Sequence, residues 1–229
     1  MTQPRSWLAR YTQGRFFFLL MSILLLLLLQ PFFEGFWLGH QLLRLFFFVT
    51  LGTALYSISD NKQRCLWGLA IGLPALAAIG SSYYVEGEGL LATGFLVNVA
   101  FLVFVAVNVL RHVLKSTDVT AETIYGALCV YLLLGLIWAS GYFALELLHK
   151  GSFQLDGVDL STAVPAVEGL FSKCLYYSYV TLTTLGYGDV RPMTPPAQSL
   201  SYVQALTGQL YLAVLVARLI ALQITSRRN

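Results

Sequence analysis

The fold class that this sequence predicts is an all-α membrane protein, with six transmembrane helices and one re-entrant helix. Four observations predict it. Of 229 residues, 57% are hydrophobic and only 11% charged, whereas a soluble domain carries about 25% charged residues. Mean hydropathy is strongly positive, at +0.71. Apolar runs of spanning length also recur along the chain. Hydrocarbon about 30 Å thick takes roughly 20 apolar residues per helix, so six spans use about 120 and leave only short loops. Finally, the cations gather on alternate loops, as an inserted bundle requires.

The elements follow in order. The first span is Phe16 to Phe33, preceded by Arg5, Arg10 and Arg15. It is longer than the apolar core of a cleavable signal. Gln30, Pro31 and Glu34 stand where a small-residue cleavage site would lie, so it reads as a retained helix entered from the cytoplasm. The second run is Arg44 to Ser59, closed by Asp60, Asn61 and Lys62. The third is Cys65 to Tyr84, and the fourth Gly89 to Leu110, closing on Arg111, His112 and Lys115. Glu122 to Leu148 makes the fifth. Lys150 to Glu168, rich in Gly, Ser, Thr and Asp, reads as an exposed loop. Phe171 to Thr183 is too short to span and reads as re-entrant, and Ser199 to Thr225 is the last span.

Charge tests this topology independently. Ten of the fourteen cations fall inside: Arg5, Arg10, Arg15, Lys62, Arg64, Arg111, Lys115, Arg218, Arg227 and Arg228. Arg44, Lys150, Lys173 and Arg191 fall outside. Most acids, including Glu146, Asp156, Asp159, Glu168 and Asp189, are external. Both termini are therefore expected in the cytoplasm. Trp7, Phe16, Trp37, Trp67, Tyr83 and Tyr84 lie near predicted helix ends, where amphipathic rings favour headgroups.

Several functions find no support. Cys65, Cys129 and Cys174 are odd in number and widely spaced, which fits neither a disulfide framework nor a zinc site. His40, His112 and His149 are scattered, with no nucleophile motif beside them. No enzyme activity, no cofactor and no nucleic-acid partner are expected; membrane lipid is.

The chemistry concentrates in Thr181 to Asp189, read Thr-Leu-Thr-Thr-Leu-Gly-Tyr-Gly-Asp. Irregular backbone at membrane depth survives only where protein buries it or water bathes it. Gly186 and Gly188 permit conformations that a Cβ resists. A backbone alternating between left- and right-handed regions points successive carbonyls to one side. Four such strands around an axis would stack rings of oxygens that replace a cation's hydration shell.

Thr184-Leu185-Gly186-Tyr187-Gly188-Asp189 resembles the selectivity filter of tetrameric potassium channels, in the family's order of short helix, filter and flanking spans. The resemblance covers about Glu122 to Thr225. It implies K+ coordination by the carbonyls of Thr184, Leu185, Gly186 and Tyr187, with the Thr184 hydroxyl as innermost ring and Gly188 turning the mouth outward. It implies that Tyr187 points away from the axis, braced by a cuff to which Tyr176 and Tyr177 belong, with Asp189 at the outer mouth. Val180 departs from bacterial relatives that carry a buried Glu there, so that coupling is not carried over. On the last helix, Gly208 matches the family's bending glycine, with close packing an equal reading. Leu212 and Val216 match positions facing the cavity and inner gate, and Gln209 is a polar group beside the hinge. The resemblance further implies a homotetramer, and by analogy a bacterial inner membrane.

Two domains result: residues 1–116, four peripheral helices, and 117–229, the pore domain. A voltage sensor carries a cation at every third residue of its fourth helix; Gly89 to Leu110 has none. Asn98 and Asn108 are its strongly polar interior residues, read as partners of neighbouring helices. Regulation is left to the four helices, lipid, ions or a separate regulatory partner. The reading is passive, selective K+ conduction without a conventional voltage sensor. Its rivals are a weakly selective cation channel, a potassium transporter subunit and a non-conducting accessory subunit.

Overall fold

Long apolar runs satisfy their own backbone as helices, and the computed structural model is mostly helical. It describes residues 14–33, 48–57, 62–81, 88–164 and 166–228. The expectations for Trp7, Trp37, Tyr83, Tyr84 and the loop charges Arg5, Arg10, Glu34, Arg44, Asp60 and Glu86 lie outside these residues.

In chain order the helices are α1 (Arg15–Phe33), α2 (Phe48–Ser57), α3 (Lys62–Ser81), α4 (Glu88–Lys115) and α5 (Ala121–Leu148). Then come strands β1 (Phe153–Leu155) and β2 (Val158–Asp159), and short helix α6 (Leu160–Ala163). Helix α7 (Val167–Leu182), strand β3 (Val190–Pro192) and helix α8 (Pro195–Arg228) complete the chain. Among the described residues, three helices are long and apolar enough to cross a membrane: Leu91–Lys115, Ala121–Leu148 and Pro195–Leu222.

Two apolar cores organise these elements. The larger joins α1, α2, α4 and α5, with Leu175 of α7. Phe16 belongs to it and is buried, not a headgroup anchor as the sequence suggested. The reason is Gly126: a Cβ there would stand 2.9 Å from Val113 and 3.2 Å from the Phe16 ring. The start of α1 is pinned by the Phe16 N–H donating to Glu122 Oε1 at 3.0 Å, and by Cys129 Sγ donating to Phe16 O at 3.3 Å. Asn98 does bond between helices, donating to Ser140 Oγ at 3.3 Å. Asn108 instead bonds its own helix at Phe104 O.

The smaller core lies at the other end of α5. Tyr142, Phe153 and Tyr177 meet there with ring centroids 5.2–5.3 Å apart. Phe153 comes from the segment expected to be an exposed loop, and the structure corrects that expectation. Residues 153–159 form a hairpin closed by Asp156 (φ 50°) and Gly157 (φ 88°), the paired left-handed conformation of a tight two-residue turn. β1 is central in a three-stranded antiparallel sheet, order β2-β1-β3, pairing Gln154 with both Asp159 and Arg191.

Glu146 anchors this sheet. Placed by the sequence reading on the external side of the membrane, it is fully buried within the chain, at 0% exposure. Its carboxyl oxygens accept from the N–H groups of Gly151 (3.1 Å), Phe153 (3.0 Å) and Ser161 (3.3 Å). Buried donors left unpaired cost about 1–3 kcal/mol each. Glu146→Ala is therefore expected to lower stability by at least about 3 kcal/mol, read by thermal unfolding in detergent, with Glu146→Gln losing less because one oxygen remains.

Candidate functional site

Helix α7 has 16 residues and so is about 24 Å long, short of a bilayer's hydrocarbon thickness. It begins four residues before the expected Phe171 and ends at Leu182. Two contacts seat it against α5. Ser178 Oγ donates to Gly135 O at 2.7 Å, and Tyr179 Oη donates to Leu132 O at 2.7 Å. Gly135 is required there, because a Cβ would lie 2.4 Å from the Tyr179 ring.

A helix leaves its last carbonyls without intrahelical partners; here the following segment supplies them. Tyr179 O accepts from the Thr183 N–H (3.0 Å) and Thr183 Oγ1 (2.6 Å), and Thr181 O from the Thr184 N–H (3.1 Å). Val180 O accepts from the Leu185 N–H at 2.9 Å and the Gly186 N–H at 3.5 Å. Val180 thus works through its carbonyl while its side chain is buried. A main-chain role of this kind leaves no side-chain signature to read.

From this tether the chain enters an alternation. Thr184 (φ 60°), Gly186 (φ 59°) and Gly188 (φ 79°) are left-handed, while Leu185 and Tyr187 between them are not. The conformation costs glycine nothing and a β-branched residue about 1–2 kcal/mol. Thr184 keeps it because hydrogen bonds fix the peptides on both sides. Leu185 and Tyr187 point away from the chain's own core, 59% and 69% exposed.

The supporting residues divide. Tyr177, expected behind the filter, pairs with Ser201 Oγ of α8 at 2.6 Å. Tyr176 reaches Asp189. Partial burial raises the Asp189 pKa, but the Tyr176 hydroxyl, the N–H groups of Val190 and Asp189, and the Lys173 charge outweigh it and hold it below 3.8. The stabilisation is present above pH 3.8 and lost as pH falls through the lowered value. Tyr176→Phe is expected to raise that midpoint, so acid titration of Asp189 by NMR or current should begin at higher pH in the variant.

Past Gly188, β3 pairs with β1, and the Asp156 N–H donates to Asp189 O at 3.0 Å, so the hairpin holds the end of this loop. Helix α8 then returns with one inward seam: Ala197, Ser201, Gln204, Gly208, Tyr211, Leu215 and Arg218. The spacing alternates four and three, the period of a packed helical stripe. Gln204 is buried and links three helices, accepting from Tyr142 Oη at 2.5 Å and donating to Ser178 O (2.9 Å) and Ser178 Oγ (2.7 Å). Tyr211 Oη donates to Ala127 O at 2.6 Å. Arg218 donates to Leu114 O and Ser116 O, at the end of α4.

Gly208 rests on the end of α7: a Cβ would meet Leu182 O at 2.6 Å. Gln209, Leu212 and Val216 lie off the seam and are exposed in the single chain. Sequence reasoning missed Gln204, Ser201 and Tyr211; the four-three spacing of non-aliphatic residues in an apolar helix was the signal available.

Comparison with known proteins falls on this same region. A search of curated proteins finds none that matches. Residues 130–223 match the model of the Ion_trans_2 family, described as ion channel. With three helices of spanning length among the described residues, this marks an integral membrane protein whose residues 130–223 are similar to an ion channel domain.

Proposed function

We propose that four copies of this chain form a potassium-selective channel conducting K+ passively, without a conventional voltage sensor. The observation that carries this reading is the left-handed backbone at Thr184, Gly186 and Gly188 within Thr-Leu-Gly-Tyr-Gly-Asp. The carbonyls of Thr184, Leu185, Gly186 and Tyr187, with the Thr184 hydroxyl, coordinate K+ in place of water. The α7 C-terminus, carrying about half an elementary negative charge, favours a cation beneath.

The fourfold arrangement is supported by what one chain leaves uncovered. Tyr202, Leu206, Leu210 and Val214 of α8 are exposed together with Leu185 and Tyr187, while Ser201, Gln204 and Tyr211 of the same helix bond inward. In the tetramer this surface meets neighbouring copies, and Leu212 and Val216 form apolar rings able to gate by dewetting. The reading includes six spans, both termini in the cytoplasm and a bacterial inner membrane, with residues 1–116 as a peripheral helical domain.

Potassium flux into liposomes holding the purified protein tests the reading, with Gly186→Asp as control. Flux in the wild type alone is expected. Equal flux from both proteins contradicts the filter assignment, and none from either favours an accessory subunit.

A further inference from the structure

Three helices meet at one carbonyl beneath the filter. Leu182 O is the last carbonyl of α7, two residues before Thr184. The amide four residues on, Gly186 N–H, is turned to Val180 O instead. The donor that Leu182 O receives comes from far along the chain: Tyr131 Oη of α5, at 3.3 Å. On its other side lies Gly208, close enough that a Cβ would come to 2.6 Å.

Tyr131 is held by a second tyrosine. Its ring stacks on Tyr211 of α8, centroids 6.0 Å and planes 26° apart. The Tyr211 hydroxyl donates to Ala127 O, one turn earlier on α5. The two rings form one unit, but their hydroxyls serve different ends. That of Tyr211 ties α8 to α5, whereas that of Tyr131 fixes the peptide that leads into the filter.

We propose that Tyr131 is a positioning residue for the inner end of the filter. Its hydroxyl holds the Leu182–Thr183 peptide in the orientation from which Thr184 enters its left-handed conformation. Thr184 sits there at a conformational cost, and such a residue keeps its geometry only while its surroundings over-determine it. Releasing Leu182 O leaves this peptide held only through the Thr183 N–H on Tyr179 O, and so looser at every strand of the ring. The proposal rests on the conduction reading, since it assigns Thr184 to the innermost ring.

Tyr131→Phe keeps the stacked ring and removes only the hydroxyl; Tyr211→Phe removes the neighbouring hydroxyl and is the control. Each protein is recorded in planar bilayers under a potassium–sodium gradient. Amide hydrogen exchange across residues 182–188 is followed on the same preparations. Tyr131→Phe is expected to lower the K+/Na+ permeability ratio about fivefold, the ratio that one hydrogen bond of ordinary net strength supports. It is also expected to speed exchange at Thr183 and Thr184, while Tyr211→Phe leaves both near wild type. An unchanged ratio with unchanged exchange overturns the proposal. So do equal losses in both variants, which mean general loosening, and failure of Tyr131→Phe to assemble, which marks a folding contact. A non-selective wild type defeats the conduction reading itself, and the exchange comparison then still decides whether Tyr131 holds this backbone.

Discussion

Gly186→Ala is expected to abolish selective potassium current while leaving the protein folded and assembled. Nothing lies within 4 Å of where the Cβ would stand, so no steric clash contributes. The penalty is conformational: at φ 59° an alanine costs about 1–2 kcal/mol per strand, or about 4–8 over a ring of four. Rotating this peptide away from the left-handed region relieves the penalty and turns a carbonyl off the axis. Size-exclusion elution at the wild-type volume, with bilayer current lost, is the expected pair of results. Wild-type selectivity in the variant would mean that the alternation has no part in conduction.

Gly208→Ala is expected to act through packing instead. Its Cβ would meet a backbone oxygen, Leu182 O, at 2.6 Å, and a carbonyl fixed between α5 and α8 cannot give way as a side-chain tip can. Overpacking of this kind costs about 1–3 kcal/mol, and it displaces the seam that carries Gln204 and Tyr211. Thermal unfolding should therefore show a loss of about 2 kcal/mol or more, with Gly208→Val worse. Sequence alone left hinge and packing equally weighted at Gly208. A hinge without packing duty would tolerate alanine with unchanged stability and altered opening, so melting temperature separates the two.

The left-handed alternation of Thr184 to Gly188 and its flanking helices were legible because their information is local. Gly186 and Gly188 announce the backbone they adopt, and the short run from Phe171 announces a helix unable to span. The outer hairpin was not legible. Strands of two and three residues are below any periodic signal, and their stability comes from Glu146, whose burial no local pattern announces. The α8 seam was hidden for another reason. Where apolar residues surround a helix on every side, hydrophobic periodicity carries no direction, and the buried face is written in Ser201, Gln204, Gly208, Tyr211 and Arg218. Gln209, the polar residue singled out from sequence, lies one position past Gly208 and is exposed. Arg218, counted only as an inside charge, is turned onto the carbonyls that end α4. Those pairings join residues about a hundred positions apart, and no local pattern encodes them.

We propose that Thr184 to Gly188 pass potassium and reject sodium. The reversal potential of the purified protein, in a planar bilayer with potassium on one side and sodium on the other, tests it most directly. A reversal close to the potassium equilibrium potential, lost in Gly186→Ala, is the result predicted. A reversal near zero in the wild type would contradict it.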